Sequence, residues 1–364
     1  MSAKQNIEFK KIKIIVYVGV LIGLIITLAI LSKEILAPLI FAFIIAIVLS
    51  PICNYLENKG LSRVGSVVLT YVALGLTTSI VLVLVSFIFA DIYADLPSIK
   101  SDLANGFSIL QEKLSDFLNV KEKKISQFFQ TESSNIVNPL FNILELTLSH
   151  LGKILSGLFL MLIFSFFFLL YRDGISYLFF YKNSKDSNNF VRDFAYMIRA
   201  YVNGVLLVSL LIGTFNSISL WLIGIDYAFF WGYLSGILII IPYIGTIVGG
   251  LLPFLYALTT TETIWQPAAV LIFYLMIQQL EGNFITPKII GDKINVNPFT
   301  IILSMLFGGL IWGIAGVILA IPASGALRIF LLQYASTYKM GLLISNNLYN
   351  IEEYLEKKKN TPQA

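Results

Sequence analysis

The residues best suited to chemistry lie in one short stretch, Gln278-Gln279-Leu280-Glu281-Gly282-Asn283-Phe284-Ile285-Thr286-Pro287-Lys288. Glu281 supplies a carboxylate, and Gln278, Gln279, Asn283 and Thr286 supply neutral oxygens around it. Such a set suits a hard monovalent cation or a polyhydroxylated solute. Gln278 and Glu281 share one face if the helix persists to Gly282, because residues three apart are neighbours on a helix. An apolar run from Ala268 leads into the stretch and another from Phe299 leaves it. A carboxylate close to hydrocarbon costs about 2.5–3.5 kcal/mol, so Glu281 needs a partner, a water-filled cavity or an interfacial depth. Two readings follow. One is a solute or ion site where a helix breaks. The other is a helix end at the cytoplasmic face, bounded by Lys288 and Lys293, with Glu281 a cap or an ion-pair partner of Lys288. Asp226 and Glu262 fall in outer turns and are weaker candidates. Asn216 lies inside an apolar run, where an amide either lines a pathway or bonds to a neighbouring helix.

The elements that must hold these groups are membrane helices. The chain is 57% hydrophobic and only 13% charged, against roughly 25% charged in soluble domains, and its mean hydropathy is +0.83. Basic residues sit in tails and short loops, so the net charge of +4 points to membrane orientation rather than to nucleic acid. A single cysteine, Cys53, excludes an internal disulfide, and a lone histidine, His150, argues against an imidazole-built metal centre. No Gly-rich loop ending in Gly-Lys-Ser/Thr occurs, and no cofactor or catalytic residue is expected.

Apolar runs at 14–31, 35–50, 64–90, 154–171 and 202–223 read as five spans. Lys4, Lys10, Lys11 and Lys13 put the start of the chain in the cytoplasm, as Lys59 and Arg63 do for the second loop. Between the third and fourth spans, 91–153 alternates apolar and charged residues at helical spacing, with six lysines, eight acids and no arginine. That is an outer amphipathic hairpin. Residues 172–199 hold five basic and three acidic groups and read as a cytoplasmic loop, partly helical on the membrane surface. Pro51 is expected to end the second span.

Beyond Tyr201 the runs are interrupted. Residues 227–241 end at Pro242, Gly245 follows, and 246–258 contains Pro253. Pro removes a backbone donor and Gly tolerates non-helical backbone, so Pro242, Gly245, Gly282 and Pro287 are helix-break candidates. Counting every run gives nine crossings and an outer C-terminal tail, yet that tail reads as cytoplasmic. A re-entrant 299–322, turning at Gly308-Gly309, restores parity. The fold expected is an all-α polytopic membrane protein of about eight transmembrane helices, some broken or re-entrant in the C-terminal half. Its parts are spans one to three in 1–90, the outer segment 91–153, a transport core in 154–322 and an amphipathic tail in 323–364.

These motifs carry a resemblance. Ile241-Pro242-Tyr243-Ile244-Gly245, Gln279 to Asn283, Pro287 to Gly291 and Asn297-Pro298 are similar to those of the autoinducer-2 exporter-like family of bacterial membrane transporters. So are Ala37-Pro38 to Pro51, Gly60-Leu61-Ser62-Arg63 and Tyr171-Arg172-Asp173-Gly174. The resemblance covers about 14–334. It implies a permease of the cell membrane, active in autoinducer-2 export or in sodium(lithium)/proton antiport. Its partners would be the lipid bilayer and a small polar solute, or a monovalent cation and a proton, and a homo-oligomer is open to it. Where the family carries a Gly-Gln pair at the start of the fifth span, this chain has Gly204-Val205, so a role for that glutamine does not transfer. A membrane organiser without transport is a further reading, ranked behind exporter and antiporter.

Overall fold

The computed structural model describes residues 26–94, 151–174, 185–261, 263–334 and 337–346, with scattered residues between 13 and 24. Most of the expected outer hairpin over 91–153, and the tail beyond 346, lie outside the described residues. The rest is helical: α1 (Lys33–Asn58), α2 (Arg63–Ala94), α3 (Leu151–Leu170), α4 (Lys185–Ile223), α5 (Ala228–Leu238), α6 (Ile244–Thr260) and α7 (Trp265–Leu280). After two π-helical turns and the short Asp292–Ile294 come α8 (Pro298–Trp312), α9 (Ile314–Gln333) and α10 (Tyr338–Ile344).

Among the described residues, five helices are long and apolar enough to cross a membrane: Lys33–Asn58, Arg63–Ile80, Val191–Ile223, Trp265–Gly291 and Ile314–Gln333. Shorter apolar helices, Leu155–Leu170, α5, α6 and α8, accompany them. Large apolar side chains such as Ile80, Phe159, Trp221, Leu222 and Leu310 point outward. A water-soluble helix would turn such residues inward, so these surfaces are made for lipid.

Two boundaries differ from the sequence reading. The helix of the second span runs through Pro51 to Asn58, because a proline deletes only its own N–H from the ladder and its neighbours hold the turn. The fifth span starts far upstream. Residues 185–199, read as part of a loop partly helical on the membrane surface, are continuous with it in a 39-residue helix.

Internal packing divides the chain into two units, one of 48–155 with 191–295 and the other of 1–47, 156–190 and 296–364. In the first unit, α4 turns through Gly224 (φ 86) and Tyr227 (φ 53) into α5. The two helices then run backbone against backbone. A Cβ on Gly232 would lie 2.3 Å from the Ser217 nitrogen, and one on Gly236 would lie 2.5 Å from the Ser209 carbonyl oxygen. Glycine at these two places is a requirement of close approach. Leu220, Trp231, Tyr256, Ala257 and Val270 seal one end of this bundle as a buried cluster.

In the second unit, α8 and α9 form a hairpin. Asn297 caps α8 by accepting a hydrogen bond from the Thr300 N–H at 2.8 Å, with Pro298 in the first turn. The chain reverses at Gly313 (φ 62, ψ −138), not at Gly308-Gly309, through which α8 runs unbroken. Gly308 serves contact instead. A Cβ on Gly316 would fall 1.9 Å from the Gly308 carbonyl oxygen, so the arms touch at backbone distance. Pro322, where the apolar run 299–322 ends, lies inside α9, which continues to Gln333.

Candidate functional site

The site is built on the break between α5 and α6 and on the end of α7. After Leu238 the chain passes Ile239 to Tyr243, and Tyr243 adopts φ 62, ψ −52, rare for a residue with a side chain. Pro242 stands in this turn as expected. Gly245 is helical, and its importance is steric: a Cβ there would meet the Leu238 carbonyl oxygen at 1.6 Å. The Thr246 hydroxyl donates to the Tyr243 carbonyl at 2.9 Å and pins the turn.

At the other end, α7 does not unwind at Gly282. It widens into π turns at Glu281–Ile285 and Pro287–Gly291, giving a bent helix from 265 to 291. Pro287 has no N–H to keep the α ladder in step. A π turn, bonded i to i+5, places residues five apart on one face. The Thr286 hydroxyl therefore donates to the Glu281 carboxylate. Glu281 makes no ion pair with Lys288 or any other cation among the described residues. The helix-end ion pair offered by the sequence reading is thus absent from the described residues, and Thr286 holds the carboxylate.

A cavity of about 280 Å³ lies beside this point. Its walls are largely apolar, with Ile212, Ile239, Leu251, Phe254, Leu271 and Leu275 among them, and its polar members are Asn216, Ser235, Thr246, Tyr274, Gln278 and Glu281. Glu281 is its one carboxylate, and no Lys or Arg lines it. Leu271, Tyr274, Leu275, Gln278 and Glu281 follow helical spacing along α7 and present one face to it. A small, mostly apolar pocket with a few converging polar groups is the usual form of a ligand site, commonly ~300–1,000 Å³.

The candidates named from sequence divide accordingly. Asn216, Gln278 and Glu281 line the cavity, and Thr286 reaches it through Glu281. Gln279 and Asn283 do not line it. They are exposed, and the Asn283 amide donates to the Gln279 carbonyl at 3.0 Å. Ser235, Thr246 and Tyr274 were not anticipated. The Tyr274 signal was present in its spacing of four and seven residues before Gln278 and Glu281. Ser235 had none beyond its place between Gly232 and Gly236.

Residues 14–336 match the family described as AI-2E family transporter. The chain belongs to that family. Among its relatives, YrrI of Bacillus subtilis (strain 168) is 26% identical over 316 residues, 83% of this chain and 87% of YrrI. The AI-2 transport protein TqsA of Escherichia coli (strain K12) is 23% identical over 351 residues, 94% of this chain and 98% of TqsA. YueF of B. subtilis is 32% identical over a shorter 149 residues, 41% of this chain and 40% of YueF. This is a family of transporters, not of enzymes, and the chain is a multi-pass membrane protein. In this AI-2E member, Gly204 packs against Ile289 and Ile290 in the second π turn. The Gly204-Val205 departure thus sits beside the bent end of α7.

Proposed function

We propose that this AI-2E transporter moves a small polar solute out of the cell, by secondary transport or facilitated diffusion, through the cavity lined by α4, α5, α6 and α7. The observation that carries the reading is the lone carboxylate of Glu281, standing with a few neutral polar groups in a largely apolar cavity where α5, α6 and α7 depart from regular helix. Irregular backbone at membrane depth is tolerated where it is buried in protein or lines an aqueous cavity, which is where broken helices bind cargo in secondary transporters. The relative TqsA is an AI-2 transport protein by name, which makes AI-2 the first solute to assay. In this reading both chain ends and 172–199 face the cytoplasm, while 91–153 faces outward, following the lysine and arginine distribution. The α8–α9 hairpin is re-entrant. At 15 residues, α8 is ~22 Å long, short of the ~30 Å hydrocarbon core.

Sodium(lithium)/proton antiport is the second reading, and it rests on Glu281 being the cavity's one carboxylate. Proteoliposomes separate the two. Glu281→Gln keeps the shape and removes the charge. Under solute export, AI-2 flux weakens and a residue of it survives. Under antiport, sodium-driven proton movement disappears altogether. Wild-type levels of both in the variant contradict a transport role for Glu281.

A further inference from the structure

The hydrogens of the cavity's polar groups can be placed one by one. The Ser235 hydroxyl lies 2.7 Å from the Gly232 carbonyl, 2.8 Å from the Asn216 amide nitrogen and 3.2 Å from the Tyr274 hydroxyl. A carbonyl oxygen only accepts, so Ser235 gives its single hydrogen to Gly232. Asn216 must then donate to Ser235, which fixes its amide with the nitrogen towards Ser235. Tyr274 must donate as well, since Ser235 has no second hydrogen to give. Ser235 is saturated, and the Tyr274 oxygen is left with lone pairs. The Thr246 hydrogen is likewise committed, to Tyr243 at 2.9 Å. Glu281 carries acceptor oxygens, one of them taken by Thr286. Asn216, 2% exposed, keeps its carbonyl oxygen without a partner among the described residues. The uncommitted donors are the second amide hydrogen of Asn216 and both amide hydrogens of Gln278, which is exposed at the mouth.

We infer that the cavity is an acceptor-lined selectivity site. It takes a solute that brings its own hydrogens, a neutral polyol or its amine-bearing analogue, and rejects anions of the same size. The inference rests on the cavity being the transport path and adds the class of cargo. Its walls offer lone pairs at Tyr274, Thr246 and Glu281 and no cationic side chain. An anion entering would face these lone pairs and a carboxylate, with only the neutral amide hydrogens of Asn216 and Gln278 among the lining side chains to replace its water. A hydroxyl-rich solute would satisfy them. Tyr274 is the residue that sets the pattern, because its hydrogen is locked on Ser235 and cannot turn to serve an acceptor. It acts as a specificity residue.

The test uses the full chain in liposomes, with membrane potential clamped, and three probes of one size: erythritol, its monoamine analogue and erythronate, the corresponding carboxylate. Hydrogen-bonding sites reject mismatched analogues by factors well above those of apolar pockets. The expected result is erythritol flux at least about tenfold above erythronate flux, equivalent to one unmatched hydrogen bond. In Tyr274→Phe that ratio narrows but stays above one, because Glu281 still repels the carboxylate, while the melting temperature holds. Leu275→Trp fills the cavity from an exposed wall residue and abolishes the protein-dependent flux. Erythronate flux equal to or above erythritol flux, and blocked by Leu275→Trp, overturns acceptor selectivity and leaves the path standing. Flux of every probe that ignores Leu275→Trp overturns the path itself. Absence of protein-dependent flux for all three counts against both.

Discussion

Glu281 and Thr286 depend on each other. The carboxylate stands beside apolar walls with no cation to neutralise it among the described residues, and the hydroxyl five residues on is its recorded partner. Removing that hydroxyl leaves the carboxylate less satisfied, at a cost of about 1–3 kcal/mol. Thr286→Val should therefore lower the melting temperature by several degrees and cut solute flux, while Thr286→Ser restores both. A Val variant with wild-type flux would show that the hydrogen bond serves the bend alone. The sequence exposed Glu281 readily, since a carboxylate between two apolar runs is conspicuous. Thr286 could be paired with it only by knowing that the turn is π, because the α periodicity puts i+5 on another face. The same limit hid the sorting of Gln279 and Asn283 onto the exposed surface.

Glycines sort the elements. Pro242 and the residues after it marked the α5–α6 break in the sequence, and the break is there. Gly308-Gly309 looked like the turn of the later hairpin, yet the turn is Gly313, three residues before Gly316. A glycine needed for conformation and one needed for contact look alike in a sequence, and only packing tells them apart. Gly245 and Gly282 make the contrast testable. An added Cβ at Gly245 strikes the Leu238 carbonyl oxygen, whereas at Gly282 it meets nothing within 4 Å. Gly245→Ala should destabilise by about 1–3 kcal/mol, as overpacking does. Gly282→Ala should be neutral or stabilising by up to about 1 kcal/mol, because alanine restricts the unfolded chain. Thermal unfolding in detergent checks both, and equal losses at the two sites would contradict this assignment.

For the whole molecule, the class was legible from composition and run length, because every span must satisfy its own backbone in lipid. Helix bounds were less so: α4 extends well before Val202 because helical backbone continues past the point where hydropathy falls. The proposed orientation rests on the basic residues, and it predicts that a cysteine placed at position 110 reacts with an impermeant maleimide from outside intact cells. Reaction only after the inner face is opened would reverse the topology. The central claim is that cargo passes the cavity beside Glu281. Its most direct test is a covalent plug. Leu275 is 53% exposed and lines the cavity, and the native Cys53 is buried, so Leu275→Cys with Cys53→Ser gives one addressable thiol there. Protein-dependent AI-2 flux through liposomes should be near wild type before labelling and should be lost once a bulky maleimide has fully modified position 275. Undiminished flux at complete modification, confirmed by intact mass, would contradict the cavity as the path.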